Sequence, residues 1–420
     1  MSTMMDKELE NSATEVPDNR LSTAIGEYFA KVRGGDVGAL PAVLGLLVLA
    51  AVFSSVRSET FPTAFNFGNL LNQGAGVIVI AMGLVFVLLL GEIDLSAGYT
   101  AGVCAAVLGI FVTNHGAPWY VGVLACLACG AFIGLLIGLL VARLGIPSFV
   151  VTLAFFLALQ GVQLQLIGEG GQIALVDNTL LAVMNSNMPV GAGWALYVLV
   201  VIVYGVLTFR RMTKRRADGL HAERTSVWAF KMVAIVVLLG IVTYILSIER
   251  SVNPAVTSIR GVPIVVPVLL VLLVVTSVTL NRTSFGRHVY AVGGNAEAAR
   301  RSGINVANIR LFCFVICSTL AAVAGIILMS RDNGVTPSTG GGQTLLYAVG
   351  AAVIGGTSLF GGKGRPIDAI IGGLVVAIIA NGMALLNQPA GVVYFVTGLV
   401  LLVAASVDAL SRRRAAASGR

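Results

Sequence analysis

Two carboxylates stand between two apolar stretches. Glu92 and Asp94 lie in the string GEIDLSAG at 91–98, which follows an apolar run and precedes a Gly- and Ala-rich one. A charge at the depth of a lipid bilayer costs about 2.5–3.5 kcal/mol or more, so it needs a partner or a polar cavity. We expect a helix break here, with Asp94 or Ser96 capping the following helix. A loop at the membrane surface and direct contact with a solute are the alternatives.

Hydroxyl and amide side chains interrupt the apolar stretch 147–167. Thr152, Gln160 and Gln163 are its most prominent polar residues. Amides both donate and accept hydrogen bonds, which suits a neutral, hydroxyl-rich solute, although hydrogen bonding between helices explains them equally well. The candidate solute path consists of Asp94, Ser96, Thr152, Gln160 and Gln163. A proton relay is disfavoured, since other predicted span interiors lack acids or histidines.

The polar segment 281–308 predicts a short amphipathic helix. Gly293–Gly294 predicts a turn, Asn295 an N-cap and Gly303 the end of the helix. Glu297 lies near the positive end of that helix and forms a favourable pair with the arginine four residues later. Such a helix is typical of an element that docks on another protein, and a position on anionic lipid is the alternative.

Catalytic and metal-binding patterns are missing from the sequence. The string GGKG at 361–364 lacks the earlier Gly and the following Ser or Thr of a phosphate-binding loop. The five cysteines lie in apolar stretches and are interpreted as small core residues. We therefore expect no catalytic residue, no metal site and no cofactor on this chain. If ATP powers its activity, a separate subunit must bind that ATP.

The composition requires a membrane. Of 420 residues, 57% are hydrophobic and 11% charged, whereas soluble domains carry about 25% charged residues. A membrane helix needs roughly 20 apolar residues. The sequence predicts an all-α, polytopic membrane bundle of 10–12 helices, with spans at 39–56, 74–90, 99–113, 118–142, 147–167, 192–209, 229–247, 262–280, 309–329, 344–360, 367–387 and 391–409.

The positive charges alternate with these spans. Of 27 Lys and Arg residues, all but Arg57, Arg250, Arg260 and Arg331 fall in the two terminal tails, in every second loop, or within three residues of such a loop. This asymmetry marks the cytoplasmic side, and it explains the net charge of +8 without nucleic acid. The predicted organisation is a cytoplasmic tail (1–37), a membrane domain (38–410) with a basic cytoplasmic linker (209–231) and a cytoplasmic loop (281–308), and a basic cytoplasmic tail (411–420).

The two halves of the chain show a weak internal repeat. Residues 91–98 align with 355–362, matching two glycines and one leucine in each string. The alignment predicts helix breaks at Gly91, Gly98, Gly355 and Gly362. Broken helices at matching places in two halves indicate a transport path near the repeat interface. A chance match is the alternative, since the chain contains 50 glycines.

Four strings carry a resemblance to a known family. They are GEIDLSAG at 91–98, PSFVVTLAF at 147–155, FGRHVYAVGGNAEAARRSGINV at 285–306 and GGTSLFGGKGRPIDAIIGG at 355–373. Together they resemble the permease subunits of bacterial ABC importers for monosaccharides, the ribose, xylose and galactose group. The chain looks most like the xylose permeases, which also carry an additional basic segment between their halves.

The resemblance implies a multi-pass inner-membrane protein that is not itself an enzyme. It implies a cytoplasmic ATPase that holds ATP and Mg, an extracytoplasmic sugar-binding protein, a second permease copy and surrounding lipid. Coupling to the ATPase is implied for Glu297, Ala298, Ala299 and Gly303. A branched-chain amino acid permease and a stand-alone secondary carrier are the alternatives.

Overall fold

The computed structural model describes residues 40–220, 224–251 and 253–417. The predicted tail at 1–37 lies outside them. The helices are α1 (Leu40–Val56), α2 (Ala64–Leu89), α3 (Ala97–Gly109, followed by a π-helical turn, Ile110–Asn114), α4 (Trp119–Ala142), α5 (Ser148–Ile167), α6 (Asn178–Asn185), α7 (Val190–Ala217), α8 (Thr225–Ser247), α9 (Val265–Arg282), α10 (Ser284–Gly294), α11 (Ala296–Arg301), α12 (Val306–Arg331), α13 (Gly342–Ile354), α14 (Pro366–Leu385) and α15 (Ala390–Ala417). Two short strands, β1 (Ile173–Ala174) and β2 (Gly334–Val335), pair antiparallel.

The predicted polytopic helical bundle is confirmed. Within the described residues, nine helices are long and apolar enough to cross a membrane, and three shorter apolar helices accompany them. These twelve match the twelve predicted spans. The predicted span 344–360 is wrong at its end, because α13 stops at Ile354 and the next eleven residues are not helical.

Helix α12 is the central packing element, in contact with α2, α3 and α4. Gly130, Gly134 and Gly138 recur every fourth residue along α4 and face it. A Cβ atom added at Gly134 would lie 2.6 Å from the carbonyl oxygen of Phe314 on α12. Small residues at this spacing let two membrane helices approach closely.

A non-helical segment, 332–341, follows α12 and lies against α3. Its strand β2 pairs with β1, and its Gly340 meets Gly98 near the start of α3. A Cβ atom added at Gly98 would lie 2.3 Å from the Gly340 carbonyl oxygen. Glycine at position 98 therefore permits the turn at 337–340 to lie directly beside the helix.

Helices α7 and α8 form a compact unit of their own. The Tyr197 hydroxyl donates to the Val236 carbonyl at 3.1 Å, and the Trp228 indole donates to the Thr208 hydroxyl at 3.0 Å. Much of the predicted linker at 209–231 is helical, since α7 continues to Ala217 and α8 starts at Thr225, and its cytoplasmic position stays a prediction. Basic residues in the last turn of α7 favour this extension by opposing the helix dipole.

Candidate functional site at a junction of four segments

The first break, residues 90–96, separates α2 from α3. Gly91 reverses the chain with a φ of +74°. The Asp94 Oδ1 atom then accepts hydrogen bonds from the Ser96 backbone N–H at 2.9 Å and from the Ser96 hydroxyl at 2.6 Å. Ser96 occupies the N-cap of α3, but its side chain makes no capping hydrogen bond within the described chain. Asp94 therefore orders the entry to α3 through Ser96.

The carboxylates of the first break lie at different depths. Glu92 forms an ion pair with Arg310, near the start of α12, at 3.1 Å. Asp94 is fully buried beside the Cys317 thiol. Cys317 lies about 16 Å along α12 from the first residue of that helix. The Asp94 Oδ2 atom has no hydrogen-bond partner among the described residues. The alternative of a surface loop is therefore wrong for Asp94.

The first turn of α5 holds the backbone of the first break. The Ile93 N–H donates to the Ser148 hydroxyl at 3.3 Å, and the Thr152 hydroxyl donates to the Ile93 carbonyl at 3.2 Å. Backbone groups away from water must be satisfied within the protein. The string at 147–155 thus supplies two hydroxyls that match both polar groups of one residue in the break.

The five predicted path residues fall in two places. Asp94, Ser96 and Thr152 are buried together around the first break. Gln163 is buried further along α5 and donates to the carbonyls of Thr336 and Thr339, at 2.9 Å each. Gln160, one turn before Gln163, is half-buried. Solute contact by these residues stays a prediction.

The second break, residues 355–365, separates α13 from α14. Gly361 and Gly362 have φ angles of +85° and +72°. Asp368 in the first turn of α14 accepts from the Arg365 backbone N–H at 2.8 Å and from the Arg365 guanidinium at 2.9 Å. This carboxylate therefore accepts hydrogen bonds from both the N-cap backbone of α14 and the arginine side chain.

The predicted break glycines have three different environments. Gly91 and Gly362 lie inside the two breaks with positive φ angles, and Gly355 is the C-cap of α13. Gly98 is the second residue of α3 rather than part of a break. That prediction is wrong because the glycine serves close packing against Gly340, not a change of chain direction.

Helix α10 meets the end of α2 and the second break at one point. The Gly362 N–H donates to the Leu89 carbonyl oxygen at 2.8 Å and so joins the second break to the end of α2. A Cβ atom added at Gly293 of α10 would lie 1.8 Å from that oxygen and 2.9 Å from the Gly362 nitrogen. We call Leu89, Gly91, Gly293, Gly361 and Gly362 the junction. The predicted turn at Gly293–Gly294 is wrong, because α10 continues through both residues.

Tyr290 fastens α10 to the second break one turn before the junction. Its hydroxyl donates to the Gly364 carbonyl at 2.9 Å. Burial, and then the nearby Asp368 carboxylate, raise the pKa of the Tyr290 phenol. The phenol therefore stays protonated and able to donate at neutral pH.

Helix α11 follows α10 after a single residue. Asn295 accepts a hydrogen bond from the Ala298 N–H at 2.9 Å, Glu297 pairs with Arg301 at 3.3 Å, and Gly303 has a φ of +84°. The predicted N-cap, side-chain pair and helix end are confirmed. The Glu297 side chain is 57% exposed, and Ala298 is exposed while Ala299 is buried.

Sequence reasoning missed three residues that build this site, Ser148, Tyr290 and Arg310, and assigned Gly293 to a turn instead of a close backbone contact. Ser148, Tyr290 and Gly293 lie inside strings that carry the family resemblance, which was the available signal. Their roles depend on contacts between segments far apart in the chain, and spacing within one segment does not reveal such contacts. Within the described ranges, no group of three His, Cys, Asp or Glu side chains is placed to hold a metal ion.

Sequence comparisons agree on the class of protein. A family described as "Branched-chain amino acid transport system / permease component" matches residues 66–405. The xylose transport system permease protein of Escherichia coli strain K12 is 32% identical over 396 residues, 94% of this chain and 98% of that protein. Its Haemophilus influenzae counterpart is 34% identical over 376 residues, covering 89% and 96%.

A second group of relatives acts on another sugar by name. The ribose import permease protein of Escherichia coli strain K12 is 30% identical over 370 residues, 87% of this chain and 92% of that protein. No solved structure matches the chain. The family match spans both breaks and the segment between α9 and α12, so this multi-pass membrane protein belongs to the family of transport-system permease components.

Proposed function

We propose that this chain is the membrane-spanning permease subunit of an ATP-driven importer for a monosaccharide, a pentose such as xylose. The observation that carries the proposal is the junction, where three strings of the resemblance meet between two broken helices, while the fourth string, 147–155, bonds the adjacent first break. The names of the relatives, xylose and ribose permeases, favour a sugar over an amino acid. Alternating access is the proposed mechanism, with the breaks as the places where helices bend.

The end of the membrane domain that carries α10 and α11 is proposed to face the cytoplasm. Arg287, Arg300 and Arg301 are exposed there, as is Lys363 of the second break. Positive residues concentrate on the cytoplasmic side of membrane proteins. Both termini share that side in the proposed topology.

A separate ATPase, holding ATP and Mg, is proposed to dock on α11. Glu297 and Ala298 are exposed on that helix, Ala299 anchors it, and Gly303 ends it. A sugar-binding protein at the opposite end delivers the solute. Because a single residue separates α11 from α10, a displacement of α11 is passed to a helix that contacts the end of α2 and the second break.

A second copy of the permease is proposed to cover a polar face of α13 and α15. Gln343 donates to the Tyr347 hydroxyl at 3.0 Å and accepts from the Tyr394 hydroxyl at 2.9 Å. Gln343 and Tyr394 are exposed although they lie on apolar helices. Polar side chains in membrane helices normally face protein or a water-filled cavity rather than lipid. Exposed apolar side chains of α7 and α8 are proposed to face lipid.

One alternative rests on the family description, which names branched-chain amino acid transport. The permease would then keep the same partners and mechanism but move leucine, isoleucine or valine. A stand-alone secondary carrier would instead move its solute in the absence of ATPase.

The test is uptake into liposomes that contain the chain with its ATPase and sugar-binding protein. We expect labelled xylose or ribose to accumulate only with ATP and both partners, and unlabelled leucine not to compete. Glu297→Lys should abolish uptake while leaving unfolding nearly unchanged, because exposed pairs contribute only about 0.3–0.5 kcal/mol. Glu169→Lys, an equal charge change at an exposed residue after α5, is the matched control.

Uptake by the chain alone, driven by a proton or sodium gradient, would overturn the importer. Competition by leucine would overturn the assignment of a sugar as the solute. Full uptake with Glu297→Lys would overturn the assignment of α11 as the docking site.

A further inference from the structure

Helix α10 makes its closest approach to the membrane helices through one residue. Gly293 lies so near the Leu89 carbonyl that a methyl group in its place would overlap the oxygen at 1.8 Å. The neighbouring Gly294 has nothing among the described residues within 4 Å of an added Cβ. Two consecutive glycines of one helix thus differ completely in what they contact.

The Leu89 oxygen that Gly293 covers is not an isolated group. It accepts the hydrogen bond from the Gly362 N–H that ties the second break to the end of α2. A Cβ atom added at Gly361 would lie 2.9 Å from the Gly293 carbonyl oxygen and 3.0 Å from the Gly91 nitrogen. Three segments that are distant in sequence therefore meet backbone to backbone, with no side chain between them.

A direct contact between backbones passes the displacement of one segment fully to the other. A side chain can change rotamer when its neighbour moves, whereas close-packed backbones must move together. We infer that Gly293 is a positioning residue for coupling: it couples motion of the α10–α11 segment directly to the end of α2, where the first break begins, and to the second break. This inference rests on the proposed function, because it assigns the route by which a docked ATPase acts on the solute path.

Tyr290 provides a second, weaker connection between the same elements. Its hydroxyl bonds the Gly364 carbonyl, one turn of α10 before Gly293. This hydrogen bond joins α10 to the second break alone. Removal of this bond should loosen the coupling to the second break only in part.

The test measures sugar taken up per ATP hydrolysed by the complete complex of permease, ATPase and binding protein. Gly293→Ala should lower this ratio about tenfold, since overpacking displaces α10 from the junction. Gly294→Ala should keep it within about twofold, since its site is open. Gly134→Ala, which places a Cβ 2.6 Å from Phe314 O between α4 and α12, should lower thermal stability but leave the ratio unchanged.

Each outcome decides the matter. If Gly293→Ala lowers hydrolysis and uptake in proportion, so that the ratio is that of the wild type, Gly293 is only a packing residue and the inference is wrong. If Gly293→Ala does not fold, Tyr290→Phe decides: a ratio equal to the wild type overturns the inference, and a reduced ratio at unchanged stability supports it. Failure of the wild-type complex to import sugar with ATP would instead refute the proposed function.

Discussion

The two helix breaks lie side by side, with a Cβ atom added at Gly91 only 3.4 Å from the Phe360 carbonyl oxygen, yet they are built differently. A 26-residue helix leads into the first break and a 13-residue helix leaves it, whereas a 13-residue helix leads into the second and a 20-residue helix leaves it. The first break contains two carboxylates, one of them fully buried. The second contains Lys363 and Arg365, both exposed.

The difference shows two ways to interrupt a membrane helix. The first break is held from outside by α5 and α12, through hydroxyls and an ion pair. The second is a tight turn stabilised mainly by its own sequence, through Arg365 and Asp368, with Tyr290 as a brace. The first should therefore be sensitive to its neighbours and the second to its own glycines.

The largest effect is expected at the entrance to the second break. Gly355→Ala places a Cβ 1.8 Å from the Asp368 carbonyl oxygen, and such overpacking costs about 3 kcal/mol. Gly91→Ala in the first break meets its nearest atom only at 3.4 Å, so it should cost about 1 kcal/mol, from its positive φ. Thermal unfolding of both variants in nanodiscs measures the two losses of stability. Equal losses would mean that the two breaks do not differ in their sensitivity to an added methyl group.

The next effect concerns the buried carboxylate of the first break. Asp94→Leu leaves the Ser96 N–H without an acceptor and should cost about 1–3 kcal/mol. Asp94→Asn retains an acceptor and caps about as well, so stability and sugar uptake should stay close to the wild type. Loss of uptake by a stable Asp94→Asn protein would mean that the charge itself is required, contrary to an ordering role.

A smaller effect tests the support from α5. Thr152→Val removes the hydrogen bond to the Ile93 carbonyl and should cost about 1 kcal/mol. In the control Thr319→Val, the hydroxyl that is lost bonds only the Val315 carbonyl of its own helix. That carbonyl keeps its place in a helix, so the control should lose less. If both variants lose the same stability, α5 does not support the break specifically.

The smallest effect concerns the ion pair at the rim of the first break. Glu92 and Arg310 are both partly exposed, so a double-mutant cycle with Glu92→Gln and Arg310→Gln should give a coupling of about 0.5 kcal/mol. The coupling should fall as salt is raised. A coupling several times larger would show that this pair, rather than the α5 hydroxyls, dominates the first break.

The sequence predicted the parts of this molecule that depend on local pattern. Apolar length located the membrane helices, and Asn295, Glu297 and Gly303 defined α11. The sequence did not predict whether a glycine changes the direction of the backbone or lets two segments of the same chain pack closely. Gly98 and Gly293 were both expected to change the chain direction, and both lie in helices where another backbone comes close.

The most direct test asks on which side of the membrane α10 and α11 lie. Gly294→Cys, with the five native cysteines replaced, puts a thiol where the described structure leaves open space. An impermeant maleimide should label it in inside-out vesicles and not in right-side-out vesicles, while Glu169→Cys after α5 should show the reverse. Labelling of Gly294→Cys from outside intact right-side-out vesicles would place the junction on the side opposite a cytoplasmic ATPase. That result would contradict the proposal that an ATPase docks on α11.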